Sequence, residues 1–145
     1  MARRARGAGV ASPGGRPLTR RLVSSGGPFE AAGGYSRAVA VGDACSVAGT
    51  TDAGPDGESR HPGDPAAQAR ASFDIARIAL EEAGFSLRDV VRTRMYVTQP
   101  SHAAVVVAVH GELFRDIRPA ATIVVVAGLL RASLLVEVEL DALRG

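Results

Sequence analysis

The sequence contains no lysine, so all 17 of its basic residues are arginines. A lysine amine is the nucleophile in Schiff-base chemistry and the attachment point of pyridoxal phosphate, and the phosphate-binding Walker loop also depends on a lysine. The sequence therefore excludes these three classes of function. It also lacks the G-x-S-x-G pattern of serine hydrolases and a G-x-G-x-x-G pattern after a strand, which would indicate dinucleotide binding.

Cysteine and histidine are scarce as well. Cys45 is the single cysteine, so the chain forms no internal disulfide and no cysteine-rich zinc site. The three histidines (His61, His102 and His110) are not spaced as metal ligands are in H-E-x-x-H, and we expect no metal. We interpret Cys45 as a buried, unreactive thiol, and a lone cysteine favours a cytoplasmic location.

No apolar run approaches the length of a membrane-spanning helix. The longest run, residues 123–127 with its neighbours, falls well short of the roughly 18 residues that such a helix needs. We therefore expect a soluble protein that contacts no membrane. A chain of 145 residues with 46% hydrophobic content is long enough for one domain with its own core.

Charge is distributed unevenly along the chain. Six arginines and no acidic residue lie in residues 1–21, whereas the remainder carries 11 basic and 15 acidic residues. The Arg/Gly/Pro-rich start is too poor in apolar side chains to order itself, so we predict a disordered tail over residues 1–23 and one domain over residues 24–145. A nucleic-acid arm is the alternative, but the tail has no aromatic residues for base stacking and the body is acidic, so no nucleic-acid partner is expected.

Several secondary-structure elements follow from local patterns. Gly42-Asp43 separates two short runs and predicts a hairpin of strands 37–41 and 44–49. Asp64 and Pro65 are typical of a helix start, apolar residues then recur at three- and four-residue steps, and Gly84 is suited to end the helix.

Sequence patterns predict only part of the secondary structure in the second half of the chain. Alternation predicts a strand at residues 91–97 and two closing strands at 122–127 and 134–140. Residues 101–114 remain ambiguous, because the valines favour a strand while Ser101 and the alanines favour a helix. The elements together indicate one sheet with helices on one face.

Five segments resemble, in order, those of the Rid proteins, the reactive intermediate deaminases of YjgF type. They are SSGGPFEAAGGYSRAVAVGD, AGTT, DPAAQARASFDIARIALEEAGFSLRDVVRTRMYVT, RPAATIVVV and LLVEVELDAL. The resemblance implies an α+β, chorismate-mutase-like sandwich in which one mixed sheet of about six strands carries two helices on one face, residues 101–114 forming the second. It also implies a homotrimer whose sheets form a central barrel and whose clefts lie between subunits.

The resemblance also implies an activity, the hydrolysis of enamines and imines to carbonyl compounds and ammonia without a cofactor. On the positions that match the family's motifs, Glu137 would hold the attacking water, and Tyr35 and Thr122 would contact the small-molecule substrate. The arginine that clamps the substrate carboxylate in the best-known subgroup matches Ala121 in this chain. The chain thus resembles divergent subgroups that lack this arginine.

The loss of the clamp bears directly on function. A charge-assisted bidentate contact contributes about 2 to 4 kcal/mol, or two to three decades in efficiency, so ordinary 2-imino acids are expected to be poor substrates. Arg118 and Arg131 are candidate substitute cations, although each also fits a solvated loop arginine.

Three functions remain open from the sequence. The first is hydrolysis of an imine, enamine or related labile metabolite in an intersubunit cleft, with Glu137 catalytic. The second is a trimeric module that binds a small molecule or a protein without turnover. The third is a cyclase or tautomerase of a biosynthetic pathway.

Overall fold

The computed structural model of the chain describes residues 18–145. Its strands and helices are, in chain order, β1 (Arg20–Val23), α1 (Pro28–Gly33), β2 (Ala38–Val41), β3 (Ala44–Thr50), α2 (Pro65–Glu82), β4 (Val90–Val97), α3 (Ala103–Phe114), β5 (Ala120–Val125) and β6 (Val136–Leu143). The six strands form one sheet in the order β1-β2-β3-β6-β4-β5. All neighbours are antiparallel except β4 and β5, which are parallel and joined through α3. The predicted α+β architecture with a mixed six-stranded sheet is confirmed.

Helix α2 begins and ends where its local signals indicate. The Asp64 side chain accepts a hydrogen bond from the backbone N–H of Ala67, Pro65 occupies the first turn, and Gly84 follows the helix with a φ of +87°. A positive φ favours glycine, which has no Cβ to clash with the backbone. No helix within residues 18–145 is long and apolar enough to cross a membrane.

The ambiguous segment at residues 101–114 contains a helix, α3, as the family resemblance implied. Val106, Val109 and Phe114 lie on its buried side, and α3 packs against α2. Valine has only a modest preference against helices, and burial of one helix face outweighs it here.

One face of the sheet is covered by α2 and α3, and the opposite face, called here the helix-free face, carries neither of these two helices. Along β6, Val136, Val138 and Leu140 are buried in the core, while Glu137 and Glu139 alternate with them on the opposite face. This alternation is the ordinary two-residue period of a strand. The helix-free face is therefore the side of the sheet on which Glu137 stands.

Two elements at the start of the domain were not predicted. Residues 20–23 were expected to belong to a disordered tail, but β1 pairs antiparallel with β2 and Val23 is buried, so the boundary predicted after residue 23 is wrong. Residues 1–17 of the predicted tail lie outside the described residues. Helix α1 was missed because six residues, two of them glycine or proline, leave no periodic pattern to detect.

Cys45 lies in β3 and is 2% exposed. Burial raises the pKa of its thiol, and the charge of Asp141 raises it further. Both effects disfavour the reactive thiolate. The position agrees with an inert packing residue.

Candidate functional site

A cavity of about 1030 Å³ opens where α1, the ends of β2 and β3, and two loops meet beside β6. Much of its wall is apolar and includes Phe29, Leu129, Leu130 and Leu134. Its polar and charged lining residues include Tyr35, Arg37, Thr50, Arg60, Arg131 and Glu137. A mostly apolar pocket with a few convergent polar groups is typical of a small-molecule site.

The position of Glu137 in this cavity depends on an irregularity in the pairing of β6 with the neighbouring strand β3. The register between β3 and β6 shifts between Val47 and Thr50, and Gly49 lies in the shift. A Cβ atom added to Gly49 would lie 2.2 Å from Glu137 Oε1, so the carboxylate uses space that any other residue would fill. Glycine at position 49 therefore permits the observed position of the Glu137 carboxylate.

The Glu137 carboxyl group is protonated more readily in the cavity than it would be in water. Burial raises the pKa of the Glu137 carboxyl, the nearby charge of Glu139 raises it further, and the charge of Arg37 opposes both effects. No donor among residues 18–145 hydrogen-bonds this carboxylate. A desolvated carboxyl group of raised pKa that has no protein partner is suited to exchange a proton with a bound molecule.

Arg37, the residue before β2, reaches the same part of the cavity. Its Nη1 donates to the carbonyl oxygen of Gly49 at 2.7 Å and to Thr50 Oγ1 at 3.1 Å. Its Nη2 lies 3.5 Å from the hydroxyl of Tyr35, and its guanidinium carbon lies 5.6 Å from the centre of the Tyr35 ring. The side chain is only 13% exposed, so the cation is held in one place.

Glu30 stands behind Arg37, at the start of α1. Its carboxylate accepts hydrogen bonds from the Ser24 hydroxyl and from the backbone N–H and hydroxyl of Ser25. Burial raises the pKa of the Glu30 carboxyl, but these hydrogen bonds and Arg37 outweigh it and leave the pKa below its usual range. The distance from Arg37 Nε to Glu30 Oε1 is 3.8 Å, which is an ion pair without a hydrogen bond.

Buried polar residues hold the loops that form the rest of the cavity. The Gln68 side chain donates to the carbonyl oxygens of His61 and Ser133 and accepts from the N–H of Leu135. The buried Asp52 accepts from the Ser59 hydroxyl and contacts His61 Nδ1 at 3.0 Å. The loop after β3 and the loop before β6 are thereby tied to α2.

The structure brings together some of the residues predicted from the sequence and separates the others. Tyr35, Glu137 and Arg131 line the cavity, whereas Ala121 and Thr122 do not. Both residues are exposed on β5. Strand β4 lies between β5 and β6, so β5 is two strand spacings, about 10 Å, from the strand that carries Glu137.

Arg118 lies at a second, smaller pocket of about 310 Å³, which Arg115 and Pro119 also line. It has a φ of +55°, an uncommon conformation for a residue other than glycine. Within one chain, Arg118 therefore does not stand opposite Glu137.

Arg37 and Gly49 line the cavity and Glu30 contacts Arg37 from behind, but none of the three was identified from the sequence. One signal for Arg37 was available, because it follows Tyr35 by two residues at the start of a predicted strand. Nothing local distinguishes Gly49 from a glycine that ends a strand. No group of three His, Cys, Asp or Glu side chains within residues 18–145 is arranged to hold a metal ion.

Comparisons with known proteins agree on one family. The profile of the endoribonuclease L-PSP family matches residues 27–144. An uncharacterised protein of Streptomyces coelicolor is 41% identical over 128 residues, covering 86% of this chain and 92% of that protein. A RutC family protein of Pyrococcus abyssi is 34% identical over 107 residues, covering 74% of this chain and 84% of that protein.

Solved structures give the same result. A YjgF-family protein from Mycobacterium tuberculosis is 47% identical, has a TM-score of 0.79 and covers 87% of this chain and 100% of its own. The YjgF gene product of E. coli is 30% identical, has a TM-score of 0.69 and covers 86% of this chain and 94% of its own.

Proposed function

Because the chain belongs to the endoribonuclease L-PSP family, which includes the YjgF and Rid proteins, we propose that it hydrolyses a reactive imine, enamine or related labile metabolite in the cavity beside β6. The observation that carries this proposal is the position of Glu137. Its carboxyl group lies in a largely apolar cavity, has a raised pKa and has no hydrogen-bond partner among residues 18–145.

The chemistry needs one group that can both take and return a proton. Glu137 as carboxylate removes a proton from water, the resulting hydroxide forms a bond to the imine carbon, and the nitrogen, which receives the electrons of the C=N double bond, takes that proton from Glu137. Glu137, again a carboxylate, then removes the proton of the new hydroxyl group and passes it to the amine, so that the carbon–nitrogen bond breaks and ammonia and a carbonyl compound leave. An enamine enters the same sequence after it tautomerises to the imine, and Tyr35 provides a hydroxyl at the edge of the cavity.

We also propose that the chain is a cytoplasmic homotrimer in which β5 of a neighbouring subunit completes the cavity. Leu22, Val41 and Val124 are exposed on the helix-free face, and exposed apolar patches favour burial against a partner. In such a trimer Ala121, Thr122 and Arg118 would come from the neighbour. Light scattering tests this, with an expected mass three times the 14.9 kDa of one chain.

The test of the hydrolase is turnover of imines that an amino-acid oxidase generates in situ. We expect the wild type to accelerate loss of imines with apolar side chains, and to act poorly on the small iminopropionate. Ala121→Arg should raise activity on iminopropionate about tenfold or more, because it adds a cation for the carboxylate, and should leave activity on carboxylate-free imines, generated with an amine oxidase, unchanged. If no imine in the panel is hydrolysed faster than in buffer, the non-catalytic binding function replaces this proposal.

The pH dependence of turnover offers a second check, through Glu139. Its charge raises the pKa of Glu137, so Glu139→Gln should lower that pKa while keeping an oxygen to accept from the Tyr96 hydroxyl. Since the carboxylate form of Glu137 acts first, activity falls as the pH drops through its pKa. The acidic limb of kcat/KM should therefore move to lower pH.

The matched control is Glu82→Gln at the exposed end of α2, which should leave the acidic limb in place. If the acidic limb of the kcat/KM profile lies at the same pH for the wild type and Glu139→Gln, the titrating group is not Glu137.

A further inference from the structure

The cavity carries more positive than negative charge on its walls. Within residues 18–145, three arginines (Arg37, Arg60 and Arg131) line it, against the single acidic residue Glu137. Glu30 and Glu58 lie nearby without lining it. Glu30 is held by Ser24 and Ser25, and Glu58 lies beside Arg131 with Oε1 3.8 Å from Nε. The interior therefore favours a ligand with an anionic group.

Of the three arginines, only Arg37 is both fixed and next to Glu137. The Arg131 side chain is half-exposed and pairs with Glu58, and Arg60 is exposed on the loop after β3. Arg37 is mostly buried and donates to the carbonyl of Gly49, the residue whose Cα adjoins the Glu137 carboxylate. A cation held in place loses little side-chain entropy when an anion binds.

The Nη2 and Nε atoms of Arg37 lack a close hydrogen-bond acceptor within residues 18–145. Nη1 donates to Gly49 and Thr50, but the one acceptor near Nη2 within residues 18–145 is the Tyr35 hydroxyl, at the long distance of 3.5 Å. Nε is buried beside Glu30 and has no hydrogen-bond acceptor within 18–145, so Nη2 is the nitrogen that a ligand can reach. A guanidinium N–H group without a close acceptor is costly, and a bound carboxylate can accept a hydrogen bond from Nη2.

We propose that Arg37 anchors the anionic group of the ligand, in place of the arginine missing at position 121, and that the ligand is a small carboxylate with an apolar body lying against Leu129, Leu130 and Phe29. The proposal deepens the proposed function and rests on the same cavity. A purely structural role for Arg37, bracing the irregular end of β3 through Nη1, is the alternative that the test must separate.

The test compares, by NMR titration, the binding of two probes with the same apolar body and nearly the same size, the anionic 3-phenylpropanoate and its neutral amide. The wild type should bind the acid about tenfold or more tightly than the amide. Arg37→Gln should abolish this preference by weakening the acid and leaving the amide unchanged. The matched control Arg131→Gln, which removes an arginine from the same cavity, should retain the preference.

Other outcomes overturn the proposal. If Arg37→Gln weakens both probes equally, Arg37 only braces the fold, and if the wild type binds neither probe or does not discriminate, the cavity has no anion anchor. Should Arg37→Gln fail to fold, the Arg37 side-chain N–H resonances of the wild type serve instead, and they must shift with the acid but not with the amide. Binding requires no turnover, so an Arg37-dependent preference without imine hydrolysis would refute the hydrolase alone.

Discussion

Replacing Glu137 with glutamine is expected to reduce kcat/KM for imine hydrolysis by about 10²- to 10⁴-fold, which is the usual contribution of a general acid–base group. The amide is close in size and keeps the side chain beside Gly49, but it can neither take a proton from water nor return one to the leaving amine. The measurement is turnover of the in situ imines by wild type and Glu137→Gln at matched concentrations.

The same substitution should stabilise the folded chain. Because burial raises the pKa of Glu137 in the folded state, ionising it costs stability as the pH rises through that raised pKa. At acidic pH Glu137 is protonated in both the folded and the unfolded protein, so the Tm of Glu137→Gln should match that of the wild type. At neutral pH the Tm of the variant should be higher than that of the wild type. A loss of both activity and stability would indicate that Glu137 is a structural residue.

Replacing Gly49 with alanine is expected to reduce activity by about 10²-fold while the fold remains intact. The added Cβ would lie 2.2 Å from Glu137 Oε1, so the carboxylate must move, and displacement of a catalytic group by about 1 Å has a penalty of this size. The effect should appear mainly in kcat, with circular dichroism confirming the secondary structure.

Gly111→Ala provides the matched control for this prediction. Gly111 lies in α3, and an added Cβ there meets no atom within 4 Å among the described residues. This variant should keep full activity and gain about 0.5 to 1 kcal/mol, since alanine favours a helix interior over glycine. Equal activities of Gly49→Ala and the wild type would show that the position of the Glu137 carboxylate is not critical.

Much of the fold could be predicted because its signals act over short distances. The start of α2 depends on Asp64 and Pro65, its end on Gly84, and the hairpin of β2 and β3 on the Gly42-Asp43 turn. The exceptions are α1, which is too short to show a period, β1, whose pairing with β2 is a tertiary contact, and α3, whose valines balance two local preferences until burial against α2 decides between them.

The candidate site was less accessible from the sequence. Tyr35 and Glu137 were identified through the family resemblance, and both line the cavity. Arg37 and Gly49 escaped because their importance lies in contacts with residues distant along the chain. Arg118, one of the two candidate substitute cations, lies at another pocket of the same chain.

By itself, the sequence determined which chemistry is closed to this protein and which family it resembles, since an absent lysine and an alanine at position 121 are visible without coordinates. It also determined the helix and strand periods, which depend on neighbours a few residues away. Only the tertiary structure decided that Arg37, Gly49 and Glu137 meet at one end of a cavity. Strand order and the register shift between β3 and β6 place them there, and both are set by packing of the whole sheet rather than by any local run of residues.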